Sequence, residues 1–166
     1  MPSAFSVRRA RLDDLDTIVE LRIALLREYG DHPVYGRLRD DAVDRAFELY
    51  AAQLRSPHET IFVAEHDSRI VGILRCVDSA GSPLLFPEHY CYVSSVYVRP
   101  EERHRGVLRA LLAAAESWCA ERAIDEMRLH NSPSSAAAEQ AWAALGFQIV
   151  EHVRRRALGA AVSGAG

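Results

Sequence analysis

The sequence predicts an α/β (α+β) fold, a mixed sheet with helices on both faces, in the order β-α-α-β-β-β-α-β-α-β. Two changes of period carry that prediction. Apolar residues recur at helical spacing in two segments before residue 55, then alternate as strands do between 60 and 98. From residue 106 the helical period returns, and strands and helices alternate to residue 157.

Residues 5–9 read as a short opening strand. Asp13 offers an N-cap to a helix at 14–29, with Asp14 and Asp16 near its positive dipole end. Leu15, Ile18, Val19, Leu25, Leu26 and Tyr29 share one face, and Gly30 and Pro33 stop the helix. A loop at 30–39 precedes a second helix at about 40–54, striped by Val43, Phe47, Tyr50 and Leu54. Strands at 60–65 and 69–77, joined through His66, Asp67 and Ser68, suggest an antiparallel hairpin. Gly81, Pro83 and Pro87 make 78–89 a long excursion outside the sheet. Residues 90–98 are the most β-prone run, ended by Arg99 and Pro100. The helix at 106–122 carries Leu108, Leu111, Leu112, Ala115, Trp118 and Cys119 on a core-facing stripe. A strand at 126–130, a helix at 134–145, a stop at Gly146 and a strand at 147–157 follow. One domain over 1–158 with a frayed tail at 159–166 accounts for the 166 residues.

The totals narrow the function. A net charge of −3 argues against general nucleic-acid binding, and no apolar run approaches the ~20 residues of a membrane span. The first residues lack a secretory signal, which predicts a cytoplasmic protein. Three cysteines (Cys76, Cys91, Cys119) are too scattered for a disulfide framework. No paired cysteines, His-Glu-x-x-His motif or histidine cluster supports a metal site.

Chemistry concentrates between the strand ending at Val98 and the helix opening at Gly106. Arg99, Arg103, His104, Arg105 and Arg109 place four cations and one titratable group within eleven residues. The first amides of the helix lack intrahelical partners and carry the positive dipole end, so a polyanion is the expected ligand. Gly106 lets a ligand approach the backbone with no Cβ in the way.

This stretch resembles the acyl-CoA loop of the GNAT superfamily of N-acetyltransferases, whose pattern is Arg/Gln-x-x-Gly-x-Gly/Ala. Arg103 and Gly106 match it, and Leu108 replaces the usual small residue. Ala143-Ala144-Leu145-Gly146-Phe147 is a second match, and the element order is also the family's. The resemblance implies a mostly antiparallel sheet of six to seven strands, splayed between the fourth and fifth. It implies transfer of an acetyl group from acetyl-CoA, as co-substrate, to a primary amine by direct attack. The CoA contacts it implies are Val96, Tyr97, Val98, Arg103, His104, Arg105, Gly106, Val107, Leu108 and Arg109, with Asn131 and Ser135 further on. The loop amides would hold the pyrophosphate, and Val96 and Val98 would pair with the pantetheine arm.

The family's proton-moving residues are replaced here. The usual glutamate of the fourth strand falls in Tyr92-Val93-Ser94-Ser95, leaving Tyr92 or Ser94 to order a water, or Glu88 or His89 to reach in. The usual tyrosine four residues before Gly146 is Trp142, which either packs in the core or lies against pantetheine or the acceptor. The usual asparagine is Ser135, with Asn131 nearby. The acceptor site is expected at the end of the first helix and the two loops, with Glu28, Tyr29, Asp31, Tyr35 and His89. Acids in this region suit a cationic small molecule or peptide amine, although helix capping explains them equally. Trp118 and the run from Gly146 are faintly similar to aminoglycoside-modifying members. Two further readings stay open: a catalytically weak, sensor-like acyl-CoA-binding module, and a partner-binding domain without CoA. Relatives of this kind often pair, so a homodimer is expected from resemblance alone.

Overall fold

The computed structural model describes residues 5–159; all of the expected tail at 159–166 except Gly159 lies outside the described residues. The chain forms two compact units, divided after His130. In the first, β1 (Ser6–Arg9), α1 (Leu15–Glu28), α2 (Ala42–Arg55), β2 (Glu59–His66), β3 (Arg69–Ala80), β4 (His89–Val98), α3 (Val107–Glu121) and β5 (Met127–Leu129) follow in that order. The strands make a sheet in the order β1-β2-β3-β4-β5, antiparallel except for the parallel pair β4–β5. No described helix is long and apolar enough to cross a membrane.

One face of the sheet carries α1 and α2. Ile18, Val19, Leu21 and Ile23 of α1 and Ala46 and Tyr50 of α2 are buried with Ile61, Val63, Ile73 and Tyr97 of the strands. The opposite face carries α3, whose Val107 and Leu111 lie where a Cβ on Gly72 would come within 3.1 and 3.2 Å. A side chain there would crowd both residues and Tyr97 O, so glycine suits this close approach. Helices therefore cover both faces, as the sequence predicts.

Several boundaries differ for identifiable reasons. Asp14, not Asp13, precedes α1; its carboxylate accepts from the Arg11 N–H at 2.7 Å and pairs with Arg8 at 2.7 Å. Strand β3 continues into the expected excursion because Asp78, Ser79 and Ala80 pair with Cys91, Tyr90 and His89. Asp67 and Ser68, with φ of 49° and 63°, make the tight β2–β3 turn whose twist suits a hairpin. In α3 the core stripe runs from Val107, and Leu108 is only half-buried.

The second unit contains α4 (Ala136–Ala144), capped by Ser135, whose hydroxyl accepts from the Ala138 N–H at 3.2 Å. The strand expected at 147–157 does not form: that segment has no ladder, so the described sheet has five strands rather than six or seven. A β-prone segment becomes a strand only when its backbone finds a partner. Here Ile149, Val150 and Val153 are all exposed.

Candidate active site

Between β4 and α3 the chain makes a 3-10 turn at Pro100–Glu102 and then passes through two left-handed residues, His104 (φ 60°) and Gly106 (φ 88°). Gly106 is the N-cap of α3, and nothing stands within 4 Å of the space its Cβ would fill. Its conformation therefore demands glycine, and the space before the helix is open. The first hydrogen bond of the helix runs from the Ala110 N–H to Gly106 O at 3.0 Å. Among the described residues, none of the six N–H groups from His104 to Arg109 has an acceptor. Six free amides at the positive end of a 15-residue helix form an anion site made of backbone.

The arginines around it are largely committed elsewhere. Arg99 pairs with Glu20 at 2.8 Å and donates to Ile70 O at 3.1 Å. Arg103 pairs with Glu28 at 2.7 Å, donates to Val98 O at 2.9 Å and lies over the Tyr97 ring. Arg105 pairs at 2.9 Å with Glu102, a buried carboxylate that also meets His66 Nδ1 at 3.0 Å. These contacts brace the loop against α1 and the β2–β3 hairpin. Arg109 and His104 are exposed and have no side-chain partner among the described residues, so Arg109 is the arginine left to meet an anion.

Strand β4 turns its backbone toward the same space. Ile73 pairs with Tyr97 while Arg75 pairs with Ser94, so Leu74 opposes two residues and β4 bulges at Ser95 and Val96. Ser95 takes φ 51°, and its hydroxyl meets Tyr50 OH at 2.8 Å. The bulge reverses the alternation of the strand. Before it, the Cys91 N–H donates toward β5, to Glu126 O; after it, the Arg99 N–H donates toward β3, to Val71 O. Val96 and Val98 consequently face the side away from β3. Pairing with β5 ends at Val93–Leu129, so among the described residues no strand pairs with this side from Ser94 onward. That is the splay between the fourth and fifth strands. The Arg103 guanidinium occupies Val98 O within it. The same bulge turns Tyr97 to the α1 face, where its hydroxyl donates to Glu28 at 3.1 Å. Burial and Glu28 both raise the Tyr97 pKa.

A row of polar groups crosses the α1–α2 face at the splay. Glu59 on β2 pairs with Arg75 on β3 at 2.5 Å, and Arg75 donates to the Ser94 hydroxyl on β4 at 3.2 Å. Tyr92 OH, two residues along β4, meets His130 Nδ1 at 3.0 Å. Burial first, then Tyr35, raises the Tyr92 pKa against the opposing pull of Arg75 and Arg22, so the phenol stays protonated at neutral pH. Of this row, sequence reasoning singled out only Tyr92 and Ser94. Arg75 and Glu59 did leave a signal, being charged residues in phase with the inward-facing Ile73 and Ile61. Nothing in the sequence marked His130, Ser95 or the buried Glu102.

The expected acceptor residues fall into two groups. Tyr29, His32 and Tyr35 cluster at the end of α1, with Tyr35 stacked on His32 at 4.8 Å and 5.0 Å from Tyr29. His32 Nδ1 accepts from the Val34 and Tyr35 N–H groups, which shapes the loop. Asp31 is exposed beside them. His89, at the other end of β4, pairs with Asp78 at 2.9 Å. It lines a cavity of about 600 Å³ with Phe86, Glu88, Asp125 and Glu126. Glu28, the last residue of α1, is engaged instead by Arg103 and Tyr97.

Three expected site residues lie in the second unit. Asn131 donates to Glu139 at 2.8 Å, and Ser135 caps α4. Trp142 packs edge-on against Phe147 at 5.2 Å, and an indole offers no acid. Cys76, Cys91 and Cys119 are buried and free. Burial pushes the Cys119 thiol up to about 12, and a hydrogen bond with Cys76 together with burial raises Cys91 further. Neither supplies a thiolate at neutral pH, so nothing here favours an acetyl-cysteine intermediate over direct attack.

The family model described as the Acetyltransferase (GNAT) family matches residues 20–147. Aminoglycoside N(6′)-acetyltransferase type 1 of Salmonella typhimurium is 29% identical over 109 residues, covering 60% of this chain and 70% of that protein. Among solved structures, the aminoglycoside N-acetyltransferase AAC(6′)-Iy in complex with CoA superposes with a TM-score of 0.74 at 22% identity, over 96% of this chain and 97% of its own. A predicted acetyltransferase of Clostridium acetobutylicum, solved with acetyl-CoA, gives 0.75 at 18% identity, over 92% and 96%.

Proposed function

The chain belongs to the acetyltransferase (GNAT) family of acyl-CoA-dependent N-acetyltransferases, and from that premise we propose that it acetylates a primary amine on a small cationic molecule. The reading rests above all on the six unpaired amides from His104 to Arg109, opening beside the splayed edge of β4. The pyrophosphate of acetyl-CoA sits on those amides with Arg109 alongside, and pantetheine pairs with Val96 and Val98. Because Arg103 holds Val98 O, that side chain moves aside when CoA enters. The acetyl thioester then lies at the splay, next to Tyr92 and Ser94. A free amide near Val98 supports the developing oxyanion.

The amine enters from the side of Tyr29, Asp31 and Tyr35. Asp31 favours a cation, and the aromatic faces of Tyr29 and Tyr35 suit a hydrophilic ring or an alkylammonium. Similarity to an aminoglycoside 6′-acetyltransferase supports a small-molecule acceptor of this class. The buried free cysteines suit a reducing, cytoplasmic setting. We take residues 1–158 to act as one acetyltransferase domain and the active form to be a homodimer.

Calorimetry with acetyl-CoA, followed by thiol release in the presence of neamine, spermidine and a lysine peptide, tests this reading. Micromolar acetyl-CoA binding and release accelerated by neamine or spermidine are expected. Binding without acceleration by any amine would favour the sensor-like module.

A further inference from the structure

We propose that His130, acting through the Tyr92 phenol, takes a proton from the substrate ammonium and so frees the neutral amine that attacks the thioester. This deepens the acetyl-transfer reading and rests on it.

His130 follows Leu129, the last β5 residue paired with β4, and so stands where the two strands part. Its place two residues beyond Arg128, the partner of Tyr92, puts it diagonally beside Tyr92 on the same face of the sheet. The 3.0 Å contact joins Tyr92 OH to Nδ1. In the tautomer that carries its hydrogen on Nε2, His130 accepts the phenol hydrogen at Nδ1, and this is the arrangement the relay uses. Tyr35 of the loop after α1, Arg22 of α1, Arg75 of β3 and Tyr90 of β4 all act on the phenol electrostatically. Tyr92 lies in phase with Ser94 on the face of β4 that α1 packs against, which is the side assigned to the amine. The carboxylates on this face are committed: Glu59 to Arg75, and Glu28 to Arg103 and Tyr97.

The proton path balances. An ammonium, R–NH3⁺, passes one proton to the Tyr92 oxygen as the phenol gives its own to His130 Nδ1, forming imidazolium. The neutral amine nitrogen bonds to the thioester carbon. The C–S bond breaks with its electron pair going to sulfur, and the CoA thiolate takes a second proton from the former amine. His130 then returns its proton to water. The sum is R–NH3⁺ plus acetyl-CoA giving the amide, CoA thiol and H⁺.

The test is the pH profile of kcat/KM with neamine, spermidine or whichever amine of the panel is fastest. His130→Gln retains an acceptor for the phenol but no group that takes the proton. It is expected to lose about 10²-fold in kcat/KM at neutral pH, a typical share for general-base catalysis, and to lose the acid limb assigned to His130. Acetyl-CoA affinity by calorimetry stays within about twofold, because the CoA amides lie elsewhere. In His130→Ala, added imidazole restores turnover at least tenfold, and Tyr92→Phe reproduces the loss without rescue. An unchanged acid limb in His130→Gln, or no rescue of a folded His130→Ala, overturns the assignment while acetyl transfer stands. If no amine accelerates CoA release by the wild type, the acetyl-transfer reading falls and the dyad's role falls with it.

Discussion

The loop from Arg99 to Arg109 and the polar row from Glu59 to His130 are both rich in side chains that sequence reading associates with chemistry, yet they use them in opposite ways. In the loop, three of four arginines are tied to Glu20, Glu28 and Glu102, and the groups left open are main-chain amides. In the row the backbone is largely consumed by the sheet, and the side chains meet across strands. An anion site can be built from backbone because a helix start supplies donors whatever its residues. Proton transfer has no backbone counterpart, since it needs a titratable side chain at a chosen distance.

The largest effect expected from this contrast is at Gly106. Gly106→Glu places a Cβ at φ 88° and a carboxylate before the free amides. Acetyl-CoA affinity by calorimetry should fall by about 100-fold or more, given about 1–2 kcal/mol of backbone strain plus charge repulsion. Retained affinity would remove the basis for the backbone site.

Next is the brace beneath the loop. Glu102→Ala strands Arg105 and His66 and removes a buried carboxylate. A loss of about 1–3 kcal/mol is expected in urea unfolding, the usual cost of leaving buried polar partners unpaired. No change would mean that the loop keeps its shape without its ion pairs.

The arginines themselves should separate by role. Arg109→Ala is expected to weaken acetyl-CoA by about 5- to 10-fold, roughly 1–1.4 kcal/mol, and to flatten the salt dependence of binding. Arg105→Ala should cost less in affinity and more in stability. The reverse order would break the distinction between committed and open cations.

The smallest effect guards the pH assay. Asp14 is held below the usual carboxylate range by its hydrogen bond with Arg8, against the opposing cost of burial. With its folded pKa depressed, it contributes stability that is present above the unfolded pKa of about 3.9 and is lost as pH falls through the folded value. Asp14→Asn should thus flatten the stability curve only below about pH 4. A loss of stability nearer neutrality traced to Asp14 would confound the acid limb assigned to the chemistry at His130.

The fold and the two sites differ in how much of each the sequence determined. Strand alternation, helix stripes, the strand-loop-helix order and the glycine at position 106 are local properties, carried by residues within a turn or a strand of one another. They sufficed for the layered α/β architecture and for the free helix start. Tertiary structure alone decided what depends on register: the bulge at Ser95 that turns Val96 and Val98 to the open side, and the meeting of Tyr92 with His130. It likewise decided that Arg103 belongs to Glu28, 75 residues away along the chain, and that residues 147–157, however β-prone, lack a ladder. A side chain's identity is local, but its partner is fixed only when distant strands pair in register, and a one-residue bulge is enough to exchange every partner beyond it.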